Sequence, residues 1–463
     1  MFEVIETPGT RQPTPGADVP VDASMIARWT NALCQAAGAA DGDSARIDAL
    51  RALEELKCAA EAAQADLAVD LDTSMRARAA DQGIPAERQG RGIAHQIALA
   101  RRVSPHRGQR QLGLAKVLRT EMPHTMAAFR AGKIGEWKAT LLARETACLN
   151  RQDRALIDRE LAADGATLEK MSDRQVAAEA AKRAAKLDPA SVVRRRAKAE
   201  ADRRVTIRPA PDTMTYLTGL LPMAKGVSVY AALTQAADAL KSGGDPRSRG
   251  QIMADILVAR ITGQDDASGQ APVHINLVVS DQTLLGGGND TAHVDGFGPI
   301  PADLARELIE RSLSAECETW LKTVYAGPHG GLVAMSSLAR LVPKGLGDLL
   351  NVRDGGICRN LWCDAPIRHH DHATGVANGG ETIEEDLQGL CQSCNYAKQA
   401  PGWSAAGKHP PGKRHQVETT TPTGHTYTST APPLPGQRER RSNLVVVEIH
   451  HRHDLQLDYA PAA

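Results

Sequence analysis

The stretch CRNLWCDAPIRHHDHATG, residues 358–375, decides the fold of the C-terminal part of the chain. It places two closely spaced cysteines before three histidines and an aspartate, at 369–372. A second cluster, LCQSCNYAK at 390–398, adds two cysteines and an asparagine. A chain with only eight cysteines therefore holds half of them in one short segment.

The spacing of these four cysteines is typical of a structural zinc site. Cys358 and Cys363 form a C-x4-C pair, and Cys391 and Cys394 form a C-x2-C pair. Two such pairs supply four thiolates that surround Zn²⁺ and leave no open position. We therefore expect a cytoplasmic protein with one metal site rather than disulfides. The alternative is four reduced thiols that are close in sequence only.

The residues between and after the cysteine pairs suit hydrolysis of a phosphodiester bond. A histidine whose pKa lies near neutrality can take a proton from water, which makes His372 a candidate base. Asp371 and Asn395 offer the oxygen ligands that Mg²⁺ or Mn²⁺ prefers. The alternative is a histidine cluster without a role in a polar surface loop.

The wider pattern CRNLWCD…DH…GGET…LQGLCQSCNYAKQAPGW resembles the HNH endonuclease motif, and one bacterial HNH family in particular. Members of that family carry a large N-terminal helical domain of unknown function. Segments outside the motif resemble the family as well: LDPASVVRRRAKAEADRRVTIRPAPDTM, LTGLLP, DGFGPIPADLAREL and TPTGHTYTS. The resemblance covers most of residues 45–430.

This resemblance implies a ββα-metal module that contains a structural zinc site. His372 matches the general base, Asp371 the first ligand of a catalytic divalent ion, and Asn395 the second ligand, on the helix. The four cysteines match the zinc ligands, and His370 is taken as a supporting residue. A regular strand would point Asp371 and His372 to opposite faces, so the active site needs a twisted strand end.

The sequence departs from the motif at Asp386, where the family has an asparagine that helps to fix the loop carrying the histidine. An ionised aspartate cannot donate a hydrogen bond, so we expect this supporting residue to hold the loop less well. Residues 351–420 also carry seven Lys and Arg against eight Asp and Glu, so the module itself is not basic.

The whole chain predicts a multi-domain protein that is mainly α, with an α+β middle region. Composition and periodicity divide it into a disordered lead (1–24), a helical domain (25–200), an α+β region (201–330), the HNH module (340–410) and a Pro/Thr-rich tail with a short hairpin (411–463). We expect no signal peptide and no membrane span, because no sufficiently long apolar run is present.

The segment 88–119 stands out by its charge, with eight Arg and Lys and no Asp or Glu. Its helix, short turn and basic helix resemble a helix-turn-helix, with Ser104 placed to cap the second helix and Pro105 at its first position. The alternative is the solvated face of a helical domain. Because the formal net charge of the chain is zero, DNA contacts must come from local groups. The expected ones are Arg101, Arg102, Arg107, Arg110, Arg359, Arg368 and Lys398.

The sequence thus predicts a cytoplasmic, metal-dependent DNA endonuclease with catalytic Mg²⁺ or Mn²⁺ and structural Zn²⁺. One alternative is a non-catalytic DNA-binding protein with a structural zinc module, in which Asp386 marks a lapsed active site. A second alternative is a scaffold whose basic segment contacts a protein partner.

Overall fold

The structure, a computed structural model, describes residues 22–36, 42–263, 275–314, 318–324, 341–410, 413–435 and 444–450. The first part of this range is helical, as predicted. Its helices are α1 (Ala23–Ala36), α2 (Asp43–Asp81), α3 (Ile93–Arg101), α4 (Pro105–Glu121), α5 (Pro123–Arg130), α6 (Glu136–Glu145), α7 (Arg151–Ala162), α8 (Gly165–Lys170), α9 (Asp173–Leu187) and α10 (Pro189–Ala201). Of the predicted lead 1–24, residues 1–21 lie outside the described ranges.

Capping residues set where several of these helices begin. The Ser104 side chain accepts a hydrogen bond from the Arg107 amide, and Pro105 occupies the first position of α4, which confirms both predictions for this helix. Arg102 adopts a left-handed conformation with φ 54° and ends α3. The predicted helix, turn and basic helix of the segment 88–119 are therefore present.

One hydrophobic core holds the helices α2 and α4 to α9 together. Its small members on α2 and α9 are alanines, which let the helices approach closely. Its largest fully buried side chains are Leu118, Met122, Met126, Phe129, Leu142, Ile157 and Leu168. The buried carboxylate of Asp158 on α7 accepts hydrogen bonds from the backbone amides of His124 and Thr125, at 2.8 and 2.9 Å. It therefore caps α5 from a neighbouring helix.

The middle region mixes helices and strands, as predicted. Its elements are β1 (Arg204–Pro209), β2 (Thr215–Leu220), α11 (Met223–Ser242), α12 (Arg249–Thr262), β3 (Ile275–Ser280), α13 (Asp281–Leu285), β4 (Ala292–Val294), β5 (Gly298–Ile300), α14 (Ala302–Ser314) and β6 (Glu318–Val324). The hairpin β1–β2 carries apolar side chains on one face, where Val205, Ile207 and Leu217 remain 66, 59 and 53% exposed.

The C-terminal part contains α15 (Lys344–Asp354), β7 (His369–His372), β8 (Leu387–Leu390), α16 (Gln392–Lys398), β9 (Ser404–Lys408), β10 (Gln416–Thr420), β11 (Thr426–Thr430) and β12 (Leu444–His450). Strands β7 and β8 pair antiparallel, and α16 packs against β7. Strand β7, strand β8 and helix α16 follow one another in the chain, and the expected ββα-metal fold stays a prediction. Helix α15 packs on β8, and Leu346 and Leu350 contact Leu387 in a small core.

Two strand pairings place the predicted tail inside the folded structure. Strands β9, β10 and β11 form one antiparallel sheet, so a boundary at 410 would divide it. Strand β12 lies between β3 and β6 in a five-stranded antiparallel sheet with the order β5-β4-β3-β12-β6. The hairpin was predicted, but its assignment to a separate tail was wrong, because its partner strand belongs to the module.

None of the helices in the described ranges has the length and hydropathy that a membrane span requires.

We expect Asp158→Ala to lower the free energy of unfolding by about 3 kcal/mol, because the buried amide of Thr125 and the partly buried amide of His124 would be left without a charged acceptor. Urea unfolding followed by far-UV circular dichroism measures this change. The exposed Asp81→Ala serves as the control, with an expected change within about 0.5 kcal/mol. Equal effects of the two substitutions would contradict the capping role of Asp158.

Candidate functional site

The four clustered cysteines lie close enough together to share one metal ion. All four side chains are buried, and their Sγ atoms lie within 4.8 Å of one another. The Sγ of Cys363 is 3.8 Å from that of Cys391 and 3.7 Å from that of Cys394. Four sulfurs at a Zn–S distance of about 2.3 Å stand about 3.8 Å apart on a tetrahedron. The cluster therefore has the dimensions of a structural metal site such as that of zinc.

Local structure brings the two cysteine pairs together. A short antiparallel bridge between Ile357 and Pro366 closes the loop of the first pair, and the Cys358 amide donates to the Ala365 carbonyl at 2.9 Å. In the second pair, Cys391 caps α16 and its sulfur accepts from the Cys394 amide. A metal ion held by the four cysteines would therefore fix the beginning of α16.

The sulfur cluster also favours a thiolate. Hydrogen bonds from the other three thiols hold the pKa of Cys391 far below its ordinary value. A thiolate is the form of cysteine that binds metal ions. The same hydrogen bonds raise the pKa of Cys358 and of Cys394, so it is the geometry of the four sulfurs that is typical of a metal ligand set.

The remaining four cysteines lie in helical-looking sequence, which predicts buried thiols. Cys58 is buried and Cys148 is partly buried, but Cys34 is exposed on α1, so the prediction was wrong for Cys34. Cys317 lies outside the described residues.

His372 lies at the end of β7 and is held by a hydroxyl group. Its side chain is 7% exposed, and its Nε2 lies 2.9 Å from Thr382 Oγ1. When the hydroxyl accepts this hydrogen bond, Nδ1 carries no proton and can act as a base. The role of Thr382 was not predicted, although it lies in the GGET segment on which the resemblance partly rests.

Asp371 points towards α16, where it meets a lysine. The Nζ of Lys398 lies 2.5 Å from Asp371 Oδ2, and it also donates to the backbone carbonyls of His372 and Ala373. Lys398 was predicted to contact DNA, but its side chain is only 14% exposed and is engaged by these groups. It is therefore a residue of the site itself.

Asn395 is buried on α16, 6% exposed, and its Oδ1 accepts a hydrogen bond from Gln399 at 3.3 Å. Helix α16 packs against β7, so the structure brings the elements that carry Asp371, His372 and Asn395 together. His370 lies on the other side, where its Nε2 is 2.9 Å from Asn351 Oδ1 on α15 and burial lowers its pKa. His370 thus connects β7, the strand that carries Asp371 and His372, to α15.

Asp386 holds the loop that follows His372 through one of its carboxylate oxygens, whereas the other oxygen makes no hydrogen bond to the described residues. Its Oδ1 accepts a hydrogen bond from the Thr374 amide at 3.0 Å, and its backbone carbonyl accepts from Ala373. These bonds fix the loop that follows His372. Its Oδ2 is buried without a hydrogen-bond partner among the described residues. An asparagine amide at that position could donate a hydrogen bond that the carboxylate cannot.

A buried network of charged side chains contacts β8 and the residues before it. This network was not predicted from the sequence. The Arg353 guanidinium pairs with Asp354 at 2.9 Å and with Glu384 Oε1 at 2.8 Å, and it donates to the Leu387 carbonyl at 2.7 Å. Burial raises the pKa of Glu384, but the charge and hydrogen bond of Arg353, together with His409 and His415, outweigh this and leave the pKa below its ordinary value. The sequence offered no signal for the network, because its members lie about 30 residues apart.

Several predicted DNA contacts are used within the protein instead. Arg359 is buried, and its guanidinium donates to the Ser429 carbonyl at 2.9 Å, so it is not available to a phosphate. In the basic segment, Arg101 pairs with Glu136, at 3.2 Å. The residues that remain exposed are Arg102, Arg107, Arg110 and Arg368.

Comparison with known proteins places the N-terminal part of the chain in a family. Residues 50–354 match the family described as "Domain of unknown function (DUF222)", and the chain belongs to this family. The match ends at the last residue of α15, before the first clustered cysteine. It confirms the expected N-terminal domain of unknown function, while the HNH resemblance stays a prediction. No curated protein and no solved structure matches the chain.

We expect purified protein to contain one zinc ion per chain, and Cys391→Ser to lose both the ion and the fold of the module. A small segment with few core residues depends on its metal for stability. Metal analysis by mass spectrometry measures the zinc content, with Cys34→Ser as an exposed control that keeps the ion. Protein purified under reducing conditions without any zinc would contradict the assignment.

We expect His415 to make the protein sensitive to mild acid. Burial lowers its pKa from 6.5 to about 4. Between these values the unfolded chain binds a proton that the folded protein does not, so stability falls as the pH drops from about 6.5 towards 4. The difference amounts to about 2 kcal/mol between pH 8 and pH 5.

Urea unfolding at pH 8 and pH 5 tests this sensitivity. His415→Gln removes the titration, so its stability should fall by about 2 kcal/mol less than that of wild type over this interval. The exposed His425→Gln should behave as wild type does. An equal pH dependence in all three proteins would show that His415 does not titrate with a lowered pKa.

Proposed function

We propose that this protein is a metal-dependent DNA endonuclease of the HNH type. The observation that carries the proposal is the arrangement at β7. A histidine oriented by a hydroxyl group lies next to a carboxylate, and a helix with a buried asparagine packs against their strand. The resemblance of residues 358–403 to the HNH motif supports the same activity. The proposed location is the reducing cytoplasm, and the proposed structural metal is zinc.

In this proposal His372 removes a proton from the attacking water. Thr382 fixes the ring so that the nitrogen without a proton faces away from the hydroxyl. The Asp386 hydrogen bond to the Thr374 amide keeps the end of the strand in place. A positioned base of this kind contributes about 10²–10⁴-fold to a rate.

Asp371 and Asn395 would hold the divalent ion, since a carboxylate and an amide oxygen are suitable ligands for Mg²⁺ or Mn²⁺. Such an ion supplies positive charge that stabilises the phosphate and the leaving oxygen. Lys398 already neutralises Asp371, at 2.5 Å. An ion that binds the carboxylate therefore competes with the lysine, and Lys398 can then turn its ammonium group towards the phosphate.

A second candidate function is DNA binding without catalysis. Two observations favour it, because both weaken the case for a working metal site. The Oδ2 of Asp386 has no hydrogen-bond partner within the described ranges, and Lys398 forms an ion pair with Asp371. In that case the cysteine centre would be purely structural. The two functions differ in one observable, the cleavage of a phosphodiester bond.

We expect the wild-type protein to cut supercoiled plasmid in the presence of Mg²⁺ or Mn²⁺, and His372→Ala to cut at least about 100-fold more slowly. Agarose gels of plasmid against time measure the rate. His425→Ala, which removes an exposed histidine from the β10–β11 turn, should cut as the wild type does. Zinc content must be equal in all three proteins, so that the comparison reports on chemistry rather than folding.

Binding of DNA by wild type without any cleavage would support the second candidate function. Cleavage that survives in His372→Ala would remove the proposed base. A protein that neither binds nor cuts DNA would overturn both.

A further inference from the structure

A cleft lies at the junction between the N-terminal helices and the cysteine module. It has a volume of about 460 Å³ and is lined by residues of α2, of the turn before α3, and of the helices α3, α4 and α16. We call it the junction cleft. Its lining includes the side chains of Arg76, Arg91, His95, Lys116, Ser393 and Tyr396. This size lies within the range of about 300–1,000 Å³ that is typical of ligand sites.

Specific contacts hold the two walls of the junction cleft together. His95 Nε2 on α3 lies 3.0 Å from Ser393 Oγ on α16. Gly92 lies against Trp403 so closely that an added Cβ would be 2.5 Å from the indole Nε1. The position of α16 relative to α3 is therefore fixed by both a hydrogen bond and close packing.

The junction cleft is positively charged. Arg76, Arg91 and Lys116 line it, and none of the described residues in the lining is acidic. Asp72 lies beneath the lining and pairs with both Arg76, at 2.8 Å, and Lys116, at 2.5 Å. Three cations against this one carboxylate leave two positive charges. Arg91 is exposed and forms no ion pair with the part of the chain that the structure describes.

The junction cleft is a neighbour of the candidate nuclease site. Its residues His95 and Ala397 also line a small pocket that includes Lys398. Lys398 in turn contacts Asp371. On the same helix, Tyr396 is 44% exposed and its ring lies 6.2 Å from that of His369, two residues before Asp371. A chain of phosphates that occupies the cleft would thus lead to the candidate site.

We propose that the junction cleft binds the phosphodiester backbone of the DNA on which the neighbouring site acts. This inference rests on the proposed function. It assigns DNA binding to the domain of unknown function, next to the candidate nuclease site. Phosphates attract the uncompensated charges of Arg91 and its neighbours, since neutralisation of phosphates dominates DNA affinity. The exposed ring of Tyr396 offers a surface on which a base can stack.

Gly113 provides a test that leaves the present contacts intact. It lies on α4 in the lining of the cleft, and a Cβ added there meets no atom within 4 Å. Gly113→Glu places a negative charge in the cleft, and Gly113→Gln adds a side chain of the same size without charge. Neither replaces a residue of the candidate active site, and a helical position favours both over glycine.

Binding of a fluorescent 20-base-pair duplex to the full-length protein is measured by anisotropy without added Mg²⁺ or Mn²⁺, over a series of salt concentrations. Gly113→Glu should bind about tenfold more weakly than Gly113→Gln. Its salt slope should be smaller by about 0.9 for each phosphate that the protein no longer neutralises. Circular dichroism and zinc content must match those of wild type.

The outcomes separate this inference from the proposed function. Equal affinities and slopes for Gly113→Glu and Gly113→Gln, in a protein that binds DNA, would overturn the inference and leave the nuclease proposal standing. Weaker binding by Gly113→Glu supports the inference even where plasmid cleavage is absent. A wild-type protein that does not bind the duplex would overturn both.

Discussion

The buried guanidinium of Arg353 is the group on which the geometry of the candidate site depends. It lies at the end of α15 and makes hydrogen bonds to the side chain and carbonyl of Glu384 and to the carbonyl of Leu387. Asp354 extends the network, because its Oδ2 accepts from the Gly389 amide at 2.9 Å. Four groups around β8 are thereby attached to one helix end. Since β8 pairs with β7, the network also fixes the strand that carries Asp371 and His372.

The cysteine cluster lies at α16 and the Arg353 network at α15, and a metal ion held by the cluster would differ from the network in its energetic role. A structural zinc site contributes about 10–16 kcal/mol of binding free energy, which stabilises the fold directly. A buried ion pair contributes little net stability, because desolvation offsets most of the attraction, but removing one partner costs about 3–5 kcal/mol. With zinc bound, the cysteines would therefore stabilise the fold at α16, whereas Arg353 selects one position for β8. Together they determine how the helix and the two strands meet.

The features that could be predicted from the sequence are local ones. Ser104 and Pro105 identify the start of α4 because capping involves neighbours within three residues, and the cysteine spacing identifies the metal cluster for a similar reason. Long-range pairings could not be predicted in this way. Strand β12 pairs with β3 across more than 150 residues, and no pattern in the sequence of β12 indicates which strand it pairs with. Arg359 was expected at the surface because it is charged, yet the carbonyl of Ser429 satisfies it in the interior.

The end of the family match is not a boundary between independently stable units. Arg353 and Asp354 are its last two residues, while their partners Glu384 and Gly389 lie beyond it. A chain divided after 354 would leave the 3%-exposed side chain of Glu384 without its arginine, an uncompensated buried charge. His95 would likewise be separated from Ser393 across the junction cleft. Buried groups of the domain of unknown function are therefore paired with buried groups of the cysteine module. The function of either part has to be measured on the undivided chain.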